Sequence, residues 1–135
     1  MKFLPRERVQ LATQFLRFAL VGVVGFGVDA GTLRFVIATF GLNLYLGRVV
    51  SFLTAATVTW ALNRTFTFRH KGAPAAQWLR FVCANALGGA VNFGVYALMV
   101  GTLATVRAYP SIAVACGSVA GMGLNFILMK KVVFR

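Results

Sequence analysis

The sequence predicts an all-α integral membrane protein with four transmembrane helices, arranged as two parallel-repeat helical hairpins with both termini in the cytoplasm. Three observations support this prediction. The 135 residues are 59% hydrophobic and 12% charged, with a mean hydropathy of +0.81. The apolar residues fall into four stretches, each long enough to cross the hydrocarbon core of a bilayer. The basic residues collect at the ends of these stretches.

A single membrane domain, residues 1–135, is the natural expectation at this length. Residues 1–17 form an N-terminal segment that mixes arginine with apolar residues after Pro5, and we expect a short helix lying at the inner interface. The four spans then cover about residues 18–40, 44–63, 79–103 and 109–129. The first span is too long for the apolar core of a signal peptide and carries Asp29 and Arg34, so we expect it to be permanent.

The distribution of positive charge predicts the topology. Eleven of the fourteen Lys and Arg residues precede span 1, lie in or next to the loop between spans 2 and 3, or follow span 4, whereas Arg34, Arg48 and Arg107 fall in the other half. The positive-inside rule therefore puts both termini and the middle loop in the cytoplasm, and we expect the protein in the cell inner (cytoplasmic) membrane. Because the net charge of +12 follows this rule, it gives no reason to expect a nucleic-acid partner.

A two-span unit occurs twice in the chain. Residues 16–18 and 79–81 both read Leu-Arg-Phe, and spans 1 and 3 share further glycines at an offset of 63. Spans 2 and 4 end alike at an offset of 66, with Phe-Arg at 68–69 and again at 134–135. Because each unit contains two spans, the second unit enters the membrane from the same side as the first, which predicts a parallel repeat.

Asp29 is the one acidic side chain beyond Glu7, and it lies near the middle of span 1. An ionised carboxylate at the bilayer centre costs about 2.5 to 3.5 kcal/mol on insertion-based scales, so an embedded acid marks a candidate functional site. The repeat puts Asn92 at the equivalent position of span 3. A carboxyl group can carry a proton and an amide cannot, so we predict the distinct role for Asp29.

Small and polar residues form a stripe along each span. The polar residues that we predict to line a substrate-binding groove are Asp29, Asn85, Asn92, Tyr96 and Asn125. Amides and small residues also hold membrane helices together, so packing is the alternative for each of them. Asp29 and four embedded asparagines exceed what four short helices need for adhesion, which favours a polar groove or cavity.

Basic residues flank this stripe at both ends. Arg34 and Arg48 lie at similar distances from the short link between spans 1 and 2, so we expect both in the outer half of the membrane. One interpretation is an ion pair with Asp29, since a buried charge needs a partner, and the other is a guanidinium cluster that binds a phosphate. The residues at the inner boundary that could attract a phosphate, or serve only as interfacial anchors, are Arg17, Arg64, Arg80 and Lys130.

No arrangement of residues in the sequence indicates catalysis. There is no nucleophile-base pair, no acid dyad and no phosphate-binding glycine loop after a strand. His70 has no cysteine, carboxylate or second histidine nearby to complete a metal site. We therefore expect a protein that is not an enzyme and that has no metal and no cofactor.

Two stretches resemble a known family, FLRFALVGVVGFGVDAGTLRFVIATFG in span 1 and VVSFLTAATVTWALNRTFTF in span 2. The first is similar to the RFxxVG opening with a downstream Asp, and the second to the Asn-Arg-x-aromatic-Thr-Phe ending, of the GtrA-like family of small four-span membrane proteins. The resemblance covers roughly residues 15–135. The second copy departs from it, because Met129 and Lys130 stand where that family often has an Asn-Arg pair.

The resemblance implies a role in cell-surface polysaccharide synthesis, in which a polyprenyl-phosphate-linked sugar is flipped from the cytoplasmic to the outer leaflet. The five polar residues of the groove are then expected to contact the headgroup of this lipid. Similar four-span segments also occur fused to polyprenyl-phosphate glycosyltransferases, so one alternative is a membrane platform that recruits such an enzyme. A proton-coupled exporter of the small multidrug type is another, although outer arginines would repel cationic drugs. Four spans enclose little space, so we expect a homo-oligomer.

Overall fold

The computed structural model describes residues 5–135, apart from the side chain of Pro110. Within that range every regular element is helical and there is no strand. Four helices are long and apolar enough to cross a membrane, namely Arg6–Phe40, Leu44–Thr67, Pro74–Thr102 and Ser111–Val133. The predicted all-α membrane fold with four spans is therefore confirmed. The cytoplasmic position of the termini and the parallel arrangement of the two hairpins stay predictions.

The first helix, α1 (Arg6–Phe40), is continuous over 35 residues. At a rise of 1.5 Å per residue it is about 50 Å long, which exceeds the hydrocarbon thickness of a bilayer. Residues 6–17 are its first turns, so the predicted N-terminal segment continues into span 1 without a break. The placement of this segment at the inner interface stays a prediction, and its residues 1–4 lie outside the described part of the chain.

A tight link joins α1 to the second helix, α2 (Leu44–Leu62). Gly41 has a left-handed backbone with φ 64° and ψ 27°, which glycine adopts without strain, and its N–H donates to the Ile37 carbonyl at 3.0 Å. Asn43 caps the start of α2, because its side-chain oxygen accepts a hydrogen bond from the Leu46 N–H at 2.9 Å. The chain therefore reverses direction within three residues.

Small residues set the distance between α1 and α2. A Cβ added to Gly25 would lie 2.5 Å from Thr59 Cγ2, and one added to Gly47 would lie 3.0 Å from Leu33 Cδ1. These contacts pair early residues of one helix with late residues of the other, so α1 and α2 are antiparallel neighbours. Ser51 of α2 is fully buried. This is the close, small-residue packing typical of membrane helices.

The chain forms two compact units, Met1–Trp78 and Leu79–Arg135. The second unit contains most of α3 (Pro74–Thr102), the short helix α4 (Ala104–Ala108) and α5 (Pro110–Leu128). Its core includes side chains from both long helices, such as Phe81 of α3 and Ala113 of α5. The boundary between the units falls where the sequence predicts that the second copy of the repeat begins.

Arg107 closes the end of α3. Its Nε donates to the Val100 carbonyl at 3.2 Å and its Nη2 donates to the Gly101 carbonyl at 3.3 Å. The last carbonyls of a helix have no intrahelical partner, and a basic side chain satisfies them here. Arg107 therefore has a structural role within the second unit.

Spans 2 and 4 both end in a π-helical segment, at positions that the 66-residue offset makes equivalent. The first π segment is Asn63–Thr67 and the second is Met129–Val133. In each, an N–H five residues on donates to the first carbonyl at 2.9 Å, from Phe68 in one case and from Phe134 in the other. The helices of spans 2 and 4 therefore continue past residues 63 and 129 by one π-helical turn, and where the membrane spans end stays a prediction.

The same aromatic contact follows each π segment. The rings of Phe18 and Phe68 have centroids 6.4 Å apart at an interplanar angle of 65°, and those of Phe81 and Phe134 are 6.1 Å apart at 68°. Both are edge-to-face pairs of the kind that aromatic rings prefer. The repeat found in the sequence therefore recurs as the same local geometry within each unit.

Candidate functional site

The carboxylate of Asp29 forms an ion pair with Arg48. Arg48 Nη1 donates to Asp29 Oδ2 at 2.8 Å, which joins the middle of α1 to the first turns of α2. The Asp29 side chain is 25% exposed and the Arg48 side chain is 55% exposed, so the pair is not sealed inside the unit. Of the two sequence-based interpretations, the ion pair is the one that the structure contains.

One oxygen of Asp29 has no donor. Oδ1 is buried and makes no hydrogen bond to any described residue, while Oδ2 accepts from Arg48. A carboxylate accepts about four hydrogen bonds when fully satisfied. A buried acceptor that receives no hydrogen bond costs about 1 to 3 kcal/mol. The pair is therefore incompletely satisfied within the described residues, and Oδ1 is an acceptor without a donor.

Arg34 lies five residues beyond Asp29 on α1. Its side chain is exposed, and it makes no hydrogen bond or ion pair with any residue in the described part of the chain. Its guanidinium is therefore available to an external anion. The predicted outer phosphate site thus consists of one free guanidinium, on Arg34, and one that is partly engaged, on Arg48.

In the second unit, Asn92 and Tyr96 line one cavity. The cavity has a volume of about 310 Å³ and is completed by Gly89, Phe93 and Val114. Asn92 and Tyr96 are one helical turn apart on α3, so an amide and a phenol hydroxyl reach the same space beside an aromatic ring. The structure therefore brings together two of the residues that the sequence analysis predicts to contact a headgroup.

Asn85 and Asn125 are used differently, because they bond to each other. Asn125 Nδ2 donates to Asn85 Oδ1 across a long 3.5 Å contact, and Asn85 Nδ2 donates to the Phe81 carbonyl at 3.1 Å. Gly88 lies directly against the Asn125 amide, where a Cβ would overlap it. These amides hold α3 and α5 together, and their predicted contact with a headgroup stays a prediction.

Arg64 points into a polar cluster formed with the loop between α2 and α3. Its Nη1 donates to Gln77 Oε1, its Nη2 donates to the Gly72 carbonyl at 2.7 Å, and its guanidinium lies 5.7 Å from the Trp60 ring centroid. Gln77 is only 1% exposed. Arg64 therefore organises this loop, and its predicted contact with phosphate stays a prediction.

The other three inner basic residues remain at the surface. Arg80 and Lys130 are exposed, on α3 and on the second π segment. Arg17 is also exposed, and its Nη1 donates to the Phe66 carbonyl at 3.2 Å, which ties α1 to the first π segment. The four basic residues predicted to lie at the inner boundary therefore have distinct local environments.

Arg17 also lines a second cavity, which we call the N-terminal cleft. This cleft has a volume of about 330 Å³ and lies between the first turns of α1 and the end of the first π segment. Its polar lining residues are Gln10, Thr13, Gln14, Arg17, Thr67 and Arg69. Sequence analysis found only Arg17 among them. The missed signal was the spacing of positions 10, 13, 14 and 17, which lie on one face of a helix.

Comparison with known proteins agrees with this architecture. A family model described as the GtrA/DPMS transmembrane domain matches residues 17–135. That family is associated with the flipping of polyprenyl-phosphate-linked sugars or related glycosylation, and its members are generally not catalytic. No curated protein matches the chain in sequence. The matched range contains the Asp29–Arg48 ion pair and all the amides of the second unit, and the chain belongs to the GtrA/DPMS transmembrane-domain family.

Proposed function

We propose that this protein flips a polyprenyl-phosphate-linked sugar across the cytoplasmic membrane, for the synthesis or modification of a cell-surface polysaccharide. The observation that carries the proposal is the partly exposed ion pair of Asp29 and Arg48 on helices that are otherwise apolar enough to span. Membership of a family associated with this lipid supports it. No step of the proposed process breaks a covalent bond.

The physical obstacle to flipping is the loss of hydrogen bonds to water. Sugar hydroxyls and a phosphate cannot enter hydrocarbon unaided, because each unsatisfied polar group there costs several kcal/mol. Polar side chains on the spanning helices replace that water while the prenyl tail stays in lipid. Asp29 Oδ1, which lacks a donor, is the acceptor for a sugar hydroxyl in this scheme.

The charges near Asp29 suit a single phosphate. Asp29 carries one negative charge, and Arg34 and Arg48 carry one positive charge each, so the three side chains sum to +1. A phosphodiester between a prenyl chain and a sugar carries one negative charge and neutralises that sum. Arg48 gives only Nη1 to Asp29, so its other N–H groups remain for phosphate oxygens.

The second unit supplies contacts for the sugar in this proposal. Asn92 and Tyr96 offer an amide and a hydroxyl, and Phe93 offers a ring face, in a cavity of about 310 Å³. Asn85 and Asn125 also contact the sugar in this proposal, but only after the long hydrogen bond between them breaks and sugar hydroxyls replace it. At the inner boundary Arg17, Arg80, Lys130 and, to a smaller extent, Arg64 attract the phosphate. A homo-oligomer completes the path.

Reconstitution tests the proposal. The purified full chain is placed in vesicles that carry a labelled prenyl-phosphate hexose in one leaflet, and the rate at which the label appears in the other leaflet is measured. We expect flipping well above that of empty vesicles. Asp29→Asn is expected to slow it by about tenfold or more, because a charge-assisted hydrogen bond is lost.

The control for this experiment is Glu7→Gln, which removes the other acidic side chain, an exposed residue in the first turn of α1. We expect this variant to flip lipid like the unmodified protein. Flipping by the unmodified chain no faster than in empty vesicles would contradict the proposal. A rate for Asp29→Asn equal to that for Glu7→Gln would remove Asp29 from the path.

A second candidate function is a platform that recruits a polyprenyl-phosphate glycosyltransferase to the membrane. The ion pair itself favours it, since a 2.8 Å contact between Asp29 and Arg48 is what neutralisation of a structural carboxylate requires. A platform predicts that the purified chain moves no lipid, and that a transferase leaves the membrane fraction when the chain is deleted. A cationic-drug exporter is the weaker alternative, because Arg48 already occupies the carboxylate.

A further inference from the structure

We propose that the N-terminal cleft binds the headgroup of a phosphodiester-linked sugar lipid and is the site where the lipid loads. The identity of the lipid rests on the proposed function, whereas the chemistry of the ligand, a phosphodiester that carries hydroxyls, follows from the cleft itself. The cleft lies at the end of the α1–α2 pair that the positive-inside rule assigns to the cytoplasm. Its six polar residues are Gln10, Thr13, Gln14, Arg17, Thr67 and Arg69, and it is a separate site from the ion pair.

 None of the six takes part in the Asp29–Arg48 ion pair.

The positive charge of the cleft favours an anionic ligand. Arg17 and Arg69 contribute two guanidinium groups from two different elements, and no acidic side chain lines the cleft. Arg17 uses Nη1 to hold the Phe66 carbonyl, so its position is fixed while its other N–H groups remain available. Each guanidinium group can donate two parallel hydrogen bonds to a phosphate, so two of them in one cleft suit a phosphate ligand.

The uncharged polar groups of the cleft include hydrogen-bond acceptors, which favours a ligand that also carries hydroxyls. Gln14 Oε1 is buried and has no hydrogen-bond donor among the described residues. The hydroxyl hydrogens of Thr13 and Thr67 are directed to the Val9 carbonyl at 2.8 Å and to Asn63 Oδ1 at 2.8 Å, so toward a ligand their oxygens act only as acceptors. A phosphodiester group has no donor for these three acceptors, whereas a sugar attached to it carries hydroxyl donors.

The backbone holds Arg69 in an uncommon conformation at the mouth of the cleft. Arg69 has φ 49°, the left-handed region that few residues other than glycine adopt. Hydrogen bonds on both sides fix it, since the Phe68 N–H donates to the Asn63 carbonyl at 2.9 Å and the His70 N–H donates to the Arg64 carbonyl at 3.0 Å. The π segment therefore ends in a turn that places Arg69 in the cleft that Arg17 also lines.

The repeat supplies an internal comparison. At the same offsets, the second copy keeps both arginines but loses three of the four uncharged polar residues, which become Ala73, Ala76 and Val133. The fourth, Gln14, corresponds to Gln77, which is buried and bonded to Arg64. The basic residues alone therefore follow the topology of the repeat, while the full set of anion and hydroxyl partners occurs in the first copy.

Equilibrium binding to the full chain in neutral-lipid nanodiscs tests this site without requiring transport. The probes are a short-chain prenyl-phosphate hexose, the same prenyl phosphate without the sugar, and inorganic phosphate. We expect Arg69→Gln to weaken binding of the sugar lipid by about tenfold, because a charge-assisted contact is lost. The matched control is Arg135→Gln, which removes the repeat-equivalent charge and is expected to change binding less than twofold.

Gln14→Leu gives a readout that a merely structural role would not produce. It removes a buried acceptor that has no partner, so the fold is expected to tolerate it. We expect weaker binding of the sugar lipid with unchanged binding of the sugar-free prenyl phosphate. Equal binding of the sugar lipid by Arg69→Gln and the unmodified chain overturns the site, even if the protein flips lipid normally.

Two further outcomes are decisive. Inorganic phosphate or phosphatidylglycerol that displaces the sugar lipid at equal concentration overturns the assignment, because the cleft is then a general anion site. Binding that is sensitive to Arg69 and Gln14 in a chain that flips no lipid supports the cleft and contradicts the proposed function. The two proposals therefore fail separately.

Discussion

The two units share the way their helices end and differ in what those helices carry at mid-length. Each unit closes with a π segment and an edge-to-face phenylalanine pair, Phe18 with Phe68 in one and Phe81 with Phe134 in the other. Each also has a glycine pressed against a polar side chain of the neighbouring helix. These features are duplicated because both units must pack two apolar helices.

The ion pair is not duplicated. Asp29 corresponds to Asn92 and Arg48 corresponds to Val114, so the second unit has an amide and an apolar side chain at the equivalent positions. There the structure has a cavity of about 310 Å³ lined by both residues. The second unit therefore packs its helices without a charged pair at these positions, which supports the ligand-directed role proposed for Asp29 and Arg48.

The most direct test of whether the first unit needs its charged pair is to give it the residues of the second unit. Asp29→Asn combined with Arg48→Val installs the residues of the second unit and leaves no unpaired charge. We expect flipping in reconstituted vesicles to fall by at least about tenfold, while thermal unfolding stays near that of the unmodified chain. Normal flipping by this double variant would mean that the pair serves packing alone.

The single substitution Arg48→Val separates charge pairing from transport. It leaves the Asp29 carboxylate without its partner on a spanning helix, and we expect a loss of up to about 3 kcal/mol in the free energy of unfolding. Adding Asn at position 29 is expected to recover most of that loss. The measurement is unfolding in mixed micelles, and a double variant no more stable than Arg48→Val would contradict the pairing.

Much of this comparison could be predicted from sequence, because it depends on composition and spacing. Hydropathy gave four spans, and the offsets of 63 and 66 gave the repeat. The contact of Arg48 with Asp29 was one of two interpretations, since spacing along two helices indicates depth but not which way a long side chain turns. The same holds for Arg64. Its position at the end of span 2 indicates its depth, but not that its N–H groups donate to the Gln77 side chain and the Gly72 carbonyl.

The π segments and the N-terminal cleft could not be predicted in this way. A π turn uses the same residue types as an α turn, so the sequence of residues 63–67 does not distinguish the two, and the ring contact of Phe68 with Phe18 that follows is a tertiary contact. The cleft needs two segments 53 residues apart to meet, Gln14 on α1 and Thr67 on the π segment. Hydropathy treats both as span ends and contains no information on their contact.

Glycine substitutions test whether the helices of the two units pack with the same close approach. Gly25→Ala puts a Cβ 2.5 Å from Thr59 Cγ2, and Gly88→Ala puts one into the Asn125 amide. We expect each to lower the free energy of unfolding by about 1 to 3 kcal/mol. The matched control, Gly22→Ala, has nothing within 4 Å of its added Cβ and is expected to be neutral or stabilising by up to about 1 kcal/mol.

Equal losses for Gly25→Ala and Gly88→Ala would mean that both units rely on the same close approach. A loss confined to one of them would show that the repeat is similar in sequence but not in packing. The measurement is again unfolding in mixed micelles, with flipping by Gly22→Ala as the check that the first unit keeps its function.

The smallest expected effect concerns the phenylalanine pairs. Phe68→Leu and Phe134→Leu each remove one ring of an edge-to-face pair and keep an apolar side chain, and aromatic pairs contribute about 0.5 to 1.5 kcal/mol beyond their buried area. Phe66→Leu is the control, because that ring is 60% exposed. If the pairs anchor the two π segments alike, both variants lose stability by the same small amount and the control does not. A loss for Phe68→Leu alone would mean that the first π segment depends on its ring pair because it also positions Arg69 at the N-terminal cleft, a task that the second π segment does not have.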